Sequence, residues 1–563
     1  MSSLSRKLYQ FSFQFIRILT LIFTGILLLG GFFGTCYALD MTTQQVLTKW
    51  DNPLSGLCGL AVFFLFFSLA GYFVCHNFSR RLPLLLGLVL VWCTILGILL
   101  ILFSKTVPAA DALSVYTIAE SLSVGDTSVI HPTESYLSYY PQQVGLTAFF
   151  ELLIRIWNLL PVDLPAYHMI KCIYVLLAWV IILYQYNTVD LLWHNERINC
   201  IYLLLTGANL PFFMYTSFVY GEIPSFAAIS AGIYYLLRLL AEGPLKPSVG
   251  SQPAIRTHTG IFFSASLLLI TLSVFLRKNS LIFVIAVILV VLFQWLKEKR
   301  HILLLFALLC ATFSLTILPL TQKYYEHRAG STLSAGVPAI SYLAMGMQES
   351  SRGNGWYNGF NFNTYQETGM DSAATAAISR KTIEERLAYF KENPGYAADF
   401  YLHKYLSQWS DGTYACRQAT LATFGGRRDF FNSLYAGNSS KYFIAYCNHY
   451  QNVLYLGVFL FCLGSFLLCG RRLRASGADS LMKSPADSGA ESPLTPGTDS
   501  LAGLPLYLGL IAVFGGFLFH MFWEANSRYI FLYGLLLLPY AACGLEWGSE
   551  LMKTFAKNRK KNQ

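Results

Sequence analysis

Residues 83–104, PLLLGLVLVWCTILGILLILFS, decide the fold class of this chain. The run contains no charged residue, and an apolar helix of about 20 residues is long enough to cross the hydrocarbon core of a bilayer. Similar runs recur along the 563 residues, of which 55% are hydrophobic and only 12% are charged. Because backbone polar groups inside a bilayer must be satisfied within the same helix, the sequence predicts an all-α polytopic membrane protein.

Apolar runs of this kind occur at thirteen places: residues 11–38, 56–75, 83–104, 143–160, 165–187, 198–219, 222–241, 258–276, 280–296, 302–320, 448–469, 504–522 and 529–546. The formal net charge of +10 comes mostly from Lys and Arg in the tails and short loops between the runs, which is the positive-inside pattern and not a nucleic-acid surface. The sequence therefore predicts a multi-pass protein of a bacterial-type plasma membrane with both termini in the cytoplasm.

Two cytoplasmic termini require an even number of crossings, so one of the thirteen runs does not span. We predict about twelve spans plus one interfacial or re-entrant helix. The run that fails to span is either 143–160 or 165–187, and the first is the weaker because it carries Glu151 and Arg155.

With this topology, two long segments are extracellular and one is cytoplasmic. Residues 105–142 form an external loop, and 321–446 form a small helical extracellular domain, since a bare loop of that length is uncommon. Residues 470–503 are rich in Ser, Gly, Ala and Pro, which predicts a disordered cytoplasmic loop.

The first external loop contains PAADALSVYTIAESLSVGDTSVIHPTESYLSYYPQQ, residues 108–143, beside the end of the third apolar run. Carboxylates at the edge of a bilayer are costly unless they face water, so their placement there suggests function. Asp111 follows a helix-breaking Pro and opens the amphipathic segment ADALSVYTIAESL. We select Asp111 as the catalytic candidate and Glu120 as a second acidic residue; an ordinary solvated loop is the alternative.

Three further turns are predicted on the same side. GEIPS places Glu222 at a helix N-terminus, and we select it with Glu120 as a second acidic residue on the acceptor side. FLRKNS places Arg277 and Lys278 between two apolar helices. WEANSRYIFLYG places Glu524 and Arg528 in a tight turn. Positive charge is disfavoured on this side, and a bound phosphate would explain Arg277, Lys278 and Arg528. Dipole stabilisation, snorkelling to lipid headgroups and a structural ion pair are the competing explanations.

Aromatic and amide side chains in these segments are typical of a surface that binds a sugar or an acceptor. The candidates are Tyr116, Tyr139, Tyr140, Gln143, Trp356, Asn358, Glu524 and Tyr529. The same composition is also normal for an irregular loop.

Motifs for nucleotide binding, for a nucleophile elbow and for metal ligation are missing from the sequence. A divalent cation between two nearby carboxylates stays open, although no ligand spacing demands a metal. Cys416 and Cys447 flank a polar region, which leaves a disulfide between them open.

The order of these segments resembles the GT-C superfamily of integral membrane glycosyltransferases. It most resembles the bacterial branch related to protein O-mannosyltransferases and aminoarabinose transferases. The resemblance rests on an early external loop with an Asp, on YLSYYPQQVGL opening the next helix, and on GEIPS, RKNS, GNGWYN and EANSRY in that order. It covers residues 83–546. Two features depart from the family: two helices precede the catalytic loop, and position 112 is Ala where many members have a second acid.

The resemblance divides the chain into five parts: an N-terminal two-span addition (1–82), a GT-C-like transmembrane core (83–320), an extracellular loop domain (321–446), C-terminal transmembrane helices (447–546) and a basic cytoplasmic tail (547–563).

The resemblance implies inverting transfer of a sugar from a polyprenyl-phosphate-linked donor to an acceptor on the outer face of the membrane. Asp111 would be the general base, and Arg277, Lys278 and Arg528 would neutralise the departing phosphate. The implied partners are a cell-envelope glycan, glycolipid or protein acceptor and membrane lipids, with no nucleic acid and no required cofactor. A lipid-linked glycan ligase or polymerase is the first alternative, and a lipid or polysaccharide flippase is the second.

Overall fold

The computed structural model describes residues 3–38, 43–78, 81–242, 253–420, 429–435, 439–475 and 501–561. In these residues the chain forms 22 α-helices and one β-hairpin, as expected for an all-α polytopic membrane protein. Most of the predicted disordered loop at 470–503 lies outside the described residues.

The helices of the N-terminal half are α1 (Ser3–Phe33), α2 (Pro53–Phe78), α3 (Leu82–Leu99), α4 (Asp111–Ser123), α5 (Tyr136–Tyr139), α6 (Val144–Trp157), α7 (Tyr167–Trp193), α8 (Glu196–Ala208), α9 (Leu210–Tyr215), α10 (Glu222–Ala241) and α11 (Pro253–Leu276). The helices that follow are α12 (Leu281–Glu298), α13 (His301–Ala329), α14 (Ala339–Gly346), α15 (Phe360–Glu367), α16 (Ser372–Glu392), α17 (Pro394–Trp409), α18 (Cys416–Ala419), α19 (Asp429–Tyr435), α20 (Ser440–Ala475), α21 (Leu508–Phe522) and α22 (Phe531–Lys561). The hairpin strands are β1 (Gly34–Ala38) and β2 (Val46–Trp50), which pair antiparallel.

Eleven helices of the described residues are long and apolar enough to cross a bilayer: α1, α2, α3, α7, α10, α11, α12, α13, α20, α21 and α22. Two of the thirteen predicted runs are not among them. Residues 143–160 form α6, which has only 14 residues, and residues 198–219 form α8 and α9. The break lies at Asn209, whose side chain accepts a hydrogen bond from Phe212 N at 3.2 Å and so caps a new helix. The number of crossings stays a prediction.

Polar contacts show which helix ends share a face of the bundle. At the N-terminal end of α7, Lys171 Nζ donates to Thr106 O, in the segment that follows α3. Beyond its C-terminal end, Arg197 forms an ion pair with Glu546 of α22 at 3.3 Å. Thus α7 runs from the face that carries residues 105–143, which we call the loop-rich face, to the opposite face.

The almost fully buried helix α22 contains Pro539. Proline has no N–H, so the carbonyl four residues earlier, Leu535 O, loses its helical partner. Gln185 Nε2 of α7 donates to this carbonyl at 3.0 Å. The proline is therefore accommodated by a neighbouring helix, and α7 is held in register with α22.

The β-hairpin connects α1 to α2 and docks on the residues predicted as the external domain. Cys36 N donates to Ser410 O at 3.1 Å, and Val46 N donates to Arg352 O at 2.8 Å. These bonds tie the N-terminal pair of helices to the segment between α13 and α20.

Six of the described helices, α14 to α19, lie between α13 and α20. The predicted helical stretch KTIEERLAYFKEN falls within α16, and Asp371 caps this helix by accepting from Ala373 N and Ala374 N at 2.7 and 3.1 Å. Cys416 and Cys447 are both buried free thiols, so no disulfide joins them in this structure.

Candidate functional site

A buried carboxylate joins two of the turns selected from the sequence. Glu222, only 1% exposed, begins α10 and forms an ion pair with Arg277, which follows α11. Arg528, from the turn before α22, places Nε 3.8 Å from Oε1 of the same carboxylate. Because two guanidinium groups face one carboxylate, these three side chains carry a formal charge of about +1, which a bound anion or the nearby carboxylates of Asp111 and Glu524 can balance.

Asp111 begins α4 at a sharp entry into the helix. The preceding Ala110 has φ of +48°, a left-handed value that is strained for a residue with a side chain. A carboxylate in the first turn is stabilised by the helix dipole. Tyr136 lies near Asp111, and burial, assisted by the nearby Tyr220 and Asp111, raises the pKa of Tyr136 well above its ordinary value. Tyr136 therefore stays protonated beside the Asp111 carboxylate.

Residues from four separate segments act electrostatically on or with Asp111; they include Tyr140, Tyr220, Tyr357, Glu524, Arg528 and Tyr529. Tyr220 links this group to the cationic cluster. Its hydroxyl accepts a hydrogen bond from Gln143 Nε2 at 2.5 Å, and its ring lies 5.6 Å from the guanidinium carbon of Arg528. The external loop and three distant turns thus meet at one place on the loop-rich face.

Glu524 is the second carboxylate of this group. Burial raises its pKa to about 7; Arg528 and Tyr529 oppose the rise, and the nearby Asp111 adds to it. The Tyr529 hydroxyl donates to Glu524 Oε1 at 3.2 Å. Because its pKa lies near neutrality, Glu524 can hold or release a proton under ordinary conditions.

The arrangement combines a base, two cations and a rim of hydroxyl groups. The side chains of Asp111, Tyr136, Tyr140, Glu524 and Tyr529 are all partly exposed, so the group opens to the surface. A carboxylate placed beside a substrate hydroxyl can take its proton, and cations fixed in a poorly hydrated wall stabilise a developing negative charge. Such a site suits transfer of a group from an anionic leaving group to a hydroxyl.

The structure does not bring Glu120, Tyr116 and Lys278 into this group. Glu120 lies nine residues beyond Asp111 on α4, about 13 Å along the helix axis. It is exposed and accepts a hydrogen bond from the hydroxyl of Tyr116 at 3.3 Å. Lys278 is exposed, whereas the neighbouring Arg277 is largely buried and pairs with Glu222.

Trp356 and Asn358 organise the external segment. Trp356 is 2% exposed, its Nε1 donates to Ser407 Oγ at 2.9 Å, and its backbone forms a parallel bridge with Ala525. Its ring is therefore buried rather than presented to a sugar. The Asn358 side chain accepts from Phe360 N at 2.9 Å and shapes the loop. Trp356 holds this loop against the turn that carries Glu524.

Tyr139 and Tyr140 are adjacent in sequence but have different surroundings. The ring of Tyr139 stacks on Phe362 with 5.0 Å between centroids, and its hydroxyl accepts from Gln366 Nε2 at 3.3 Å. Tyr140 interacts electrostatically with Asp111 and Glu524. Tyr140 therefore belongs to the group, whereas Tyr139 packs against the external segment next to the group.

Several residues of the group were not selected from the sequence: Tyr136, Tyr220, Tyr357, Arg352 and Lys404. The guanidinium of Arg352 lies 5.2 Å from the ring of Tyr357. Lys404, fully buried in α17, donates to Trp523 O at 2.7 Å, and burial lowers its pKa to about 7. The tyrosine-rich YLSYY segment was a signal for Tyr136, but no sequence pattern marks Lys404 as buried beside Glu524.

No group of three or more His, Cys, Asp and Glu side chains that could hold a metal ion occurs in the part of the chain that the structure describes. Comparison with protein-family models, curated proteins and solved structures found no match for this chain. Its function is therefore inferred from the arrangement of its side chains.

Proposed function

We propose that this protein is a GT-C-like membrane glycosyltransferase that transfers a sugar from a polyprenyl-phosphate-linked donor to an acceptor hydroxyl on the outer face of the membrane. One observation carries the proposal: Asp111, at the start of a surface helix, lies in the same group as Arg528, which shares the carboxylate of Glu222 with Arg277. A base and a cationic cluster are thus placed together at the edge of an apolar bundle.

In the proposed reaction the acceptor oxygen attacks the anomeric carbon of the sugar, and the bond from that carbon to the phosphate oxygen breaks. The acceptor proton passes to Asp111, and the phosphate leaves with the bonding electron pair. Attack opposite the leaving group inverts the anomeric centre. The protonated hydroxyl of Tyr136, which lies near Asp111, would orient the Asp111 carboxylate toward the acceptor.

Arg277 and Arg528 would neutralise the departing phosphate. Both side chains are largely buried, 10% and 20% exposed, so their charges act in a medium of low dielectric constant. Groups fixed before the reaction stabilise the developing charge without reorganising. Lys278, being exposed, would contribute less than either arginine.

The decisive experiment is transfer from radiolabelled polyprenyl-phosphate sugars in membranes that contain wild-type protein, Asp111→Asn or Asp126→Asn. Asp126 is a matched control because it lies in the same loop but is exposed and holds only Ser128, accepting from its N and Oγ at 2.9 and 2.6 Å. We expect Asp111→Asn to abolish transfer and Asp126→Asn to retain it. Wild-type turnover by Asp111→Asn would rule out the proposed base, and transfer of a whole oligosaccharide would indicate a ligase or polymerase.

A second experiment tests the phosphate site with Arg277→Gln and the neighbouring Lys278→Gln. We expect weaker donor binding for Arg277→Gln, seen as a higher KM for the lipid-linked sugar, because this side chain pairs with Glu222 beside the site. The effect of Lys278→Gln should be smaller. Equal effects would contradict the assignment of the buried arginine to the donor phosphate.

A further inference from the structure

A stripe of exposed apolar side chains lies on the second half of α6 and on the residues that follow this helix. Leu152 and Ile156 lie one turn apart on one face of the helix, and Leu159 and Leu160 continue this face beyond its end. Leu159 is 83% exposed. An apolar surface of this kind is unusual in water and marks a place where another apolar phase or partner binds.

The stripe continues into the connection between α6 and α7 and onto the end of α4. Val162 and Leu164 of the connection are exposed, and so is Val124, at 73%, which ends α4. Asn158 Nδ2 donates to Ser123 Oγ at 3.3 Å and so places Val124 beside the stripe. We call these residues, with Leu152, Ile156, Leu159 and Leu160, the α6 apolar surface.

Both ends of α6 lie on the loop-rich face. At its start, Gln143 binds the Tyr220 hydroxyl, and a Cβ on Gly145 would lie 1.9 Å from Phe275 O, so only glycine fits against the end of α11. At its other end, Arg155 Nη2 donates to Leu122 O of α4 at 3.0 Å. The next helix, α7, starts at this same face. With 14 residues, α6 is about 21 Å long, shorter than the ~30 Å apolar core of a bilayer.

Charged groups set the depth at which this surface can lie. Asp163 is exposed between Val162 and Leu164, and the side chain of Arg155 is 47% exposed next to Ile156. Ionised groups are costly in the hydrocarbon centre but are tolerated among lipid headgroups. The α6 apolar surface therefore fits the headgroup and upper acyl region. It is also continuous with the lipid-facing side of α7, where Leu176 is 58% exposed.

We propose that the α6 apolar surface is a lipid-binding surface that lies in the membrane interface on the loop-rich face. The occupant is the lipid leaflet itself, with acyl chains against the leucines and headgroups around Arg155 and Asp163. The helix α6 connects this surface to the candidate site, because Gln143 precedes its first turn and binds the Tyr220 hydroxyl, whereas the exposed apolar side chains begin at Leu152. This proposal holds whatever reaction the site performs.

The test is photocrosslinking of the full-length protein in proteoliposomes. The photoreactive amino acid p-benzoylphenylalanine replaces Leu159; Leu88, exposed on the span α3, is the lipid-facing control, and Glu385, exposed on α16, is the water-facing control. Lipid adducts are counted by mass spectrometry after irradiation. We expect the adduct yield at position 159 to be closer to that at position 88 than to that at position 385.

A yield at position 159 closer to that at position 385 overturns the proposal, and so does a protein adduct in place of a lipid adduct. If the variant at 159 is not monodisperse, the same measurement at position 124 replaces it, because Val124 is 73% exposed and belongs to the same surface. The readout needs no enzyme activity, so its failure is distinguishable from failure of the proposed transferase function.

Discussion

A charge cluster behind α4 offers a quantitative prediction about how Asp111 is held. Arg328 of α13 and Arg155 of α6 both donate to Leu122 O, at 2.8 and 3.0 Å, close to the C-terminal end of α4. Both also pair with Glu151, whose side chain is 7% exposed. Bonds to these groups lower the pKa of Glu151 although burial acts to raise it. The cluster thus fixes the end of the helix that begins with Asp111.

Replacing Arg328 by Met removes the ion pair with the Glu151 carboxylate and the hydrogen bond to Leu122 O, but Arg155 still contacts both groups. We expect the free energy of unfolding to fall by about 2–3 kcal/mol. Hydrogen bonds to charged groups contribute ~1.5–3 kcal/mol each, and the two arginines bind the same acceptors. Arg155→Met should cost less, about 1 kcal/mol, because that side chain is 47% exposed. The double variant leaves Glu151 buried without a cation, and an uncompensated buried charge of this kind costs on the order of 3–5 kcal/mol.

The assay is the midpoint of denaturation of purified protein in detergent, followed by loss of the monodisperse peak in size-exclusion chromatography. Lys381→Met is the control, because it breaks only the exposed pair with Glu385 at 3.8 Å and should change stability by less than about 0.5 kcal/mol. The loss of unfolding free energy in the double variant should exceed the sum of the losses in the two single variants. Strict additivity would refute the idea that the two arginines share one buried charge.

Two further predictions concern the site. Since the pKa of Glu524 is about 7 in the folded protein, above the ordinary value of 4.5, the folded state binds the extra proton between these values and stability should fall as pH rises through this range. Glu524→Gln should flatten that dependence in thermal denaturation at pH values from about 5 to about 8; an unchanged profile would contradict the shift. Trp356→Phe should cost about 0.5–1.5 kcal/mol of stability by removing the hydrogen bond to Ser407 Oγ, which keeps its own bond to Lys404 O, with no change in KM for sugar substrates; a KM effect alone would support the sugar-stacking role.

Apolar length and the positive-inside rule were sufficient to predict the membrane fold class and to select turns that the structure brings together. Glu222, Arg277 and Arg528 could be selected because charge in a short turn between apolar helices is costly and therefore conspicuous. The helix that begins at Asp111 was predicted from the preceding Pro and from the amphipathic segment ADALSVYTIAESL. Each of these features is visible in the sequence without knowledge of any tertiary contact.

Other parts of the site depend on contacts that no local pattern records. Residues 198–219 are mostly apolar and carry no charge, yet the capping side chain of Asn209 divides them into two helices. Lys404 and Tyr220 are buried by packing between distant segments. The segment around Trp356 has a composition typical of a sugar-binding surface, but the Trp356 ring is buried and has a structural role. Composition indicates which side chains are available; only the fold decides which of them face solvent.

In the proposed function Glu222 would also disfavour the binding of small anions at the site. Two guanidinium groups in a poorly hydrated wall would attract chloride or any small anion from the medium. Glu222 already balances one of these charges and is fixed in place by the fold. A small anion must compete with the fixed Glu222 carboxylate for the two arginines. A phosphodiester attached to a long apolar chain would gain, in addition, the free energy of burying that chain. In the proposed function the carboxylate would thus favour a lipid-linked phosphate over ordinary salt, and it balances part of the charge of the two largely buried arginines.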